Sequence, residues 1–433
     1  MPFLTALAPQ AKVRGSRDPL GLLPIWSAVG RRLIGNVTTV SGDLRGWTLL
    51  VVTVGIVERL AREGHIEARA LDQVRPAFFR AEQLLGYACE LNQVQATPRG
   101  VTGIRRRLRE AQEGDGAVSL GTGRDQRILT HQASAGVWGQ VLSSARESGL
   151  IHPDRLALLP PARDLWDAVW RPAMDREWTT IRRLVMGETP LQPEGHAGLL
   201  AALAAFFGPV LHPTEVQVYQ DHILHGAKGV DGLQARLVAL WLQGSHTSIG
   251  ASQGLSGLRT TAHQARKEGH TDLADALATI ADTELLLGPA ERLFTWLRTR
   301  HGVPIAEVVD GIASSWPKGL AHVERSPAEL LEALARTAYG PTAATALMGL
   351  RESLRVGTAP ETLAQCMALN AAVMRSRRGA PWIRVEGDRL KVVYSADKAE
   401  LPSPEVAQTQ LLHSYYVAPL HGLVTAWEAG RHA

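Results

Sequence analysis

The chain has 433 residues, 45% apolar and 20% charged, a globular balance that excludes a disordered polar chain. Lysine and arginine number 46 against 42 aspartate and glutamate, and a net charge of +4 specifies no polyanion partner unless it is locally concentrated. The two cysteines, Cys89 and Cys366, exclude a disulfide framework and a zinc knuckle, and are expected as buried small hydrophobes in a reducing cytoplasm.

Residues 1–18 are expected to be a flexible lead, with no charged stretch, apolar run and cleavage site in the order that secretion requires. An N-terminal helical domain is expected over 19–175. Within it, Asp43 supplies a helix start, Trp47–Val57 an apolar body and Gly64 a stop. That body is too short to span about 30 Å of hydrocarbon, and Glu58, Arg59 and Arg62 follow at once, so a buried helix and no membrane partner are expected. Phe78, Phe79, Leu84, Leu85 and Ala88 then recur at helical spacing and predict a second core helix.

Pro98, Gly100, Gly103, Gly114, Gly116, Gly121 and Gly123 mark loops around a short basic helix, IRRRLREAQ. Arg99, Arg105, Arg106, Arg107 and Arg109 stand there with no acid among them. Such a run could neutralise several phosphates, or be a solvated helix face. The next segment, ILTHQASAGVWGQVLSSARESGLI, predicts a helix ending at Gly149. A strand-like piece follows at Arg155–Leu158, and a further helix begins near Ala162.

This order resembles a winged-helix unit: a helix ending in Gly149-Leu150-Ile151, a small hairpin, then the next helix. Prolines in LLPPARDLWDAV stand where such domains carry a polar cap. The resemblance implies that a helix enters the major groove, with Gln132, Ser134, Gln140, Ser143, Ser144 and Arg146 offered to base edges. The same order also serves as a packing module that touches no DNA.

A helical bundle is expected over 176–345, with segments such as GHAGLLAALAAFFG and GLQARLVALWLQG punctuated by Gly and Pro. His212, Glu215, Asp221, His222 and His225 form its densest histidine group. His222 and His225 have a ligand-like spacing, but no accompanying metal signature exists.

The C-terminal part, 346–433, should hold helices and a hairpin. Ile383 and Val385 alternate with Arg384 and Glu386, Gly387-Asp388 makes a turn, and Leu390 and Val392 return. One last helix is predicted from PEVAQTQ through WEAG. Arg375, Arg377, Arg378, Arg384, Arg389 and Lys391 surround the hairpin as a second basic site, with Trp382 read as a plug onto the helices. The chain lacks a G-x-x-x-x-G-K-[ST] phosphate loop, and neither SLGTGRD nor GASQGLSG has the strand–turn–helix context of a dinucleotide site or serine elbow. No cofactor is expected.

The opening DPLGLLPIWSAVGRRLIGNVTTVSGDLRGWTLLVV, with GVWGQVLSSARESGLI and RRGAPWIRV, is similar to helical proteins encoded among bacterial anti-phage defence genes. That resemblance implies a defence-associated context and brings no catalytic residues. Taken together, the sequence predicts a mainly α, multi-helical protein with an embedded winged-helix-like unit and a C-terminal β-hairpin. The leading expectation is a non-enzymatic subunit that binds or senses nucleic acid, DNA first, alongside other defence-system proteins. A helical scaffold or adaptor is the second reading, and a metal-dependent enzyme at His212, His222 and His225 the third.

Overall fold

A computed structural model describes residues 18–94, 101–226, 232–244 and 254–432, so the expected lead up to residue 17 and Arg99 lie outside the described residues. The protein is mainly α-helical, and among the described residues its one sheet is a two-stranded antiparallel hairpin. Backbone contacts divide the chain into two units, each discontinuous in sequence. The first comprises Met1–Leu33 and Gly244–Tyr415, the second Ile34–Gln243 and Tyr416–Ala433.

In the second unit the Leu44–Arg62 helix is buried on all sides from Leu44 to Val57. That suits a segment apolar around its whole circumference, and each buried Val, Leu or Ile contributes about 1.5–3 kcal/mol. The Asp43 carboxylate accepts the Arg45 N–H at 3.0 Å and so closes the N-terminus. At the other end Gly64 takes a left-handed φ of 77°. Gly55 lets Trp166 lie against the helix, since a Cβ there would overlap the indole. The Leu71–Leu91 helix packs on this core, and Val101–Gln112 packs on Leu71–Leu91 through the buried Ile104 and Ala111.

The helix expected to run unbroken to Gly149 is instead three short pieces, Gln132–Ala135, Val137–Gln140 and Leu142–Glu147. The cause of the first break is Glu82. Its carboxyl group accepts the Val137 N–H at 2.8 Å and the Gln132 side-chain amide at 2.8 Å, so Val137 starts a new helix on an acceptor supplied by another element. Gly136 is extended at the break, and a Cβ there would meet the Glu82 carboxylate. The expected wing is a single isolated bridge, Ile151 to Leu158. The two prolines of LLPPARDLWDAV open the Pro160–Leu165 helix, where a fixed φ is pre-organised and no N–H is missed.

Arg45 and Glu215 form a buried pair at 3.0 Å, with 7% and 4% of their side chains exposed. The guanidinium also donates to the Phe206, Gly208 and Val210 carbonyls. Glu215 takes further bonds from Thr48 and Tyr219 hydroxyls and from the His212 N–H.

In the first unit the Thr271–Leu297 helix carries Pro289 inside it and is packed by Leu22–Arg31 and Gly254–Lys267. Ala328–Tyr339, Pro341–Val356 and Ala359–Ser376 stack in succession. The predicted hairpin is present as Ile383–Glu386 paired with Arg389–Val392, Ile383 opposite Val392, with Gly387 at φ 64° in the turn. The last predicted helix is interrupted. Pro404–Ala407 and Val417–His432 are helical, whereas Leu412 and His413 turn their N–H groups onto Glu284. Tyr415 and Tyr416 then take left-handed φ angles of 43° and 64°. Among the described residues no helix is long and apolar enough to cross a membrane.

Candidate functional site

The sequence-predicted basic site centres on Val101–Gln112 in the second unit. Its buried Ile104 and Ala111 fix which side faces inward. Successive residues step by about 100°, so Arg105, Arg106 and Arg109 fall within an arc of about 100° on the outward side. All three are exposed. Arg105 reaches Glu90 with 67% of its side chain still exposed, and Arg106 lies 3.8 Å from Glu110 with 60% exposed. Arg107 points the other way: it is 18% exposed and held by Glu110. It is less open to solvent than Arg105 and Arg106.

The residues predicted to meet base edges do not share a face. Gln132 is buried, its amide donating to Glu82 and accepting from Gln83. Ser144 is 1% exposed. Both are turned inward, Gln132 by its bond to Glu82. Ser134 and Ser143 are exposed; Gln140 and Arg146 are half-buried. The Gln140 amide donates to the Ala135 carbonyl at 2.7 Å.

Of the second basic site, both predicted contacts belong to the first unit. Arg378 is exposed at a left-handed φ of 58°, whereas Arg377 is half-buried between Asp18 and the Tyr339 hydroxyl. Arg377 therefore fastens Asp18 to the end of the Ala359–Ser376 helix. Trp382 packs against Tyr394 with ring centroids 4.6 Å apart, a contact between the two ends of the hairpin.

Two of the three histidines of the predicted metal group contact backbone atoms. His212 caps its helix by accepting the Thr214 N–H at 3.2 Å, and His222 Nδ1 lies 3.1 Å from the Ser148 carbonyl. Among the described residues no group of three His, Cys, Asp or Glu side chains is placed to hold a metal ion. Cys89 and Cys366 are free and buried, and burial, more than the opposing pull of Arg45, pushes the Cys89 thiol up to about 12.

Sequence reasoning missed a cavity in the first unit, walled by both polar and apolar side chains. Its volume is about 600 Å³, and its wall includes Asp18, Trp26, Glu291, Thr295, Leu412 and His413. Beneath the wall lies the buried Glu284. It accepts the Leu412 N–H at 2.6 Å and the Tyr415 hydroxyl at 2.9 Å, and pairs with His413 Nδ1 at 2.9 Å. Burial lowers the His413 affinity for a proton, but the bonded Glu284 carboxylate, with Glu291 and Asp18, outweighs it and leaves the pKa raised. Burial raises Glu291, with Asp18 adding to the rise and His413 opposing it. The available signal was two glutamates seven residues apart inside the apolar run TELLLGPAERL, which puts both on one helix face.

Comparison with protein families, curated proteins and solved structures finds no match to this chain.

Proposed function

We propose that the protein is a non-enzymatic binding or sensing subunit that holds nucleic acid, DNA first, on the outward side of the Val101–Gln112 helix, in the defence-associated setting that its sequence islands imply. The observation that supports this reading is the grouping of Arg105, Arg106 and Arg109 on one exposed arc. Their acidic neighbours do not cancel the charge. Exposed pairs of this kind contribute about 0–1 kcal/mol, so a phosphate backbone competes with them at little cost. Of the other predicted contacts, Ser134 and Ser143 remain exposed for positioning, while Gln132 and Ser144 play no part.

The test is fluorescence anisotropy with short duplex and single-stranded DNA at several salt concentrations. Replacing Arg105, Arg106 and Arg109 together by Ala should weaken binding at least tenfold. It should also lower the slope of log affinity against log salt by about 2–3, one counterion per lost contact. Wild-type binding that ignores salt, or an unchanged slope in the triple variant, would defeat the proposal.

A further inference from the structure

The second unit has a cleft of about 770 Å³ beside the C-terminal half of the Val101–Gln112 helix. Leu108 and Gln112 line one side of it, and the stretch from Gln192 to Leu200 lines the other. Measured round the helix from the buried Ile104, at about 100° per residue, Leu108 stands at about 40°, Gln112 at about 80°, Arg105 at about 100° and Arg109 at about 140°. The cleft therefore begins where the arginine arc ends, and Arg109 lies between Leu108 and Gln112 along the helix axis. Its two sides are tied together by Val118 and Leu191, which exchange backbone bonds at 2.7 and 2.8 Å.

The chemistry of the cleft is the reverse of the arc's. Among the described residues its lining holds no arginine, lysine or histidine, and its charged groups are Asp115 and Glu194. The Asp115 carboxylate accepts the Ala117 N–H at 3.0 Å, and Glu194 is exposed. Leu91, 39% exposed, joins Leu108 and Leu200 in an apolar surface. Gln112 and Gln192 are exposed, and among the described residues neither side-chain amide is hydrogen-bonded.

A phosphate is repelled by that lining and belongs on the arginines. A nucleobase suits it. The flat faces of a base lie against leucine side chains, an amide offers both a donor and an acceptor to its edge, and a carboxylate accepts from an exocyclic amino group. Bases inside a duplex are already stacked and paired, so the strand that fills the cleft is single. The cleft is larger than one base requires and has room for two stacked together. We propose that it receives two stacked bases of single-stranded DNA, with the flanking phosphates on Arg105 and Arg109 and the base edges on Gln112 and Gln192. This inference rests on the nucleic-acid reading of the arc and names the form of strand that the arc and cleft take together.

The experiment is fluorescence anisotropy of the full chain with an oligodeoxyadenylate and an abasic strand of the same length, at several salt concentrations. The base-bearing strand should bind about tenfold more tightly or better, and both should show the same salt slope, because they carry the same phosphates. Gln112→Ala combined with Gln192→Ala, both at exposed positions that tolerate substitution, should cost the oligodeoxyadenylate about tenfold and leave the abasic strand and a duplex unchanged. Salt-dependent binding that is equal for the two strands, or undiminished oligodeoxyadenylate binding in the double variant, would overturn the cleft's role and leave the arginine arc standing. Binding that ignores salt, or no binding of either strand, would remove the arc and this inference with it.

Discussion

Two arginine–glutamate contacts of the second unit have the same chemistry and opposite meanings. Arg45 and Glu215 lie 7% and 4% exposed and share their remaining bonds with carbonyls, hydroxyls and a backbone N–H. Arg105 and Glu90 are 67% and 15% exposed, at the edge of a short helix. The buried pair cannot be exchanged, because either charge left alone would have lost its water. The surface pair can be, because solvent already weakens it. A guanidinium is therefore available to a polyanion where it is poorly held, and charge counting along the sequence does not separate the two cases.

The comparison breaks most visibly in stability. Arg45→Ala should destabilise the second unit by about 3–5 kcal/mol in denaturant unfolding, since it strands the Glu215 carboxylate. Arg105→Ala should stay within about 0.5–1 kcal/mol. Similar losses for the two variants would erase the distinction.

Glu82 sharpens it, as a buried carboxylate whose direct partners are an amide and a backbone N–H instead of a guanidinium. Burial, opposed by the bonds from Gln132 and Val137, pushes its pKa up to about 7. Folded, it keeps its proton to about pH 7; unfolded, it releases it near the ordinary 4.5. Between those values the folded state binds more protons, so raising the pH weakens the fold through that window, by about 3 kcal/mol in total. Glu82→Gln should remove this slope, as read by unfolding at pH 5 and pH 8. A slope that survives the substitution would place the titrating group elsewhere.

Much of the helical layout was legible in the sequence. Asp43, the apolar body and Gly64 marked the central helix, and alternation around Gly387-Asp388 marked the hairpin, because each depends on residues close in the chain. What was not legible depends on distant partners. Glu82 breaks the 132–147 stretch from about fifty residues away, and Glu284 interrupts the predicted final helix at Leu412 and His413. Sequence punctuation suggests boundaries near 175 and 345, whereas the two units meet in the chain at Leu33/Ile34, Gln243/Gly244 and Tyr415/Tyr416. Gly and Pro mark loops, and a loop within a unit looks the same as one between units. For the candidate interface, the arginines were visible as a run. Their division into an outward arc and the inward Arg107 required the buried positions of Ile104 and Ala111.

The most direct test of the interface removes the competing acids instead of the arginines. Glu90→Gln with Glu110→Gln should release Arg105 and Arg106, tightening duplex DNA binding about three- to tenfold and steepening its salt dependence. Affinity and slope equal to the parent chain would contradict the account, since guanidiniums freed of their partners would then have found no phosphate to hold.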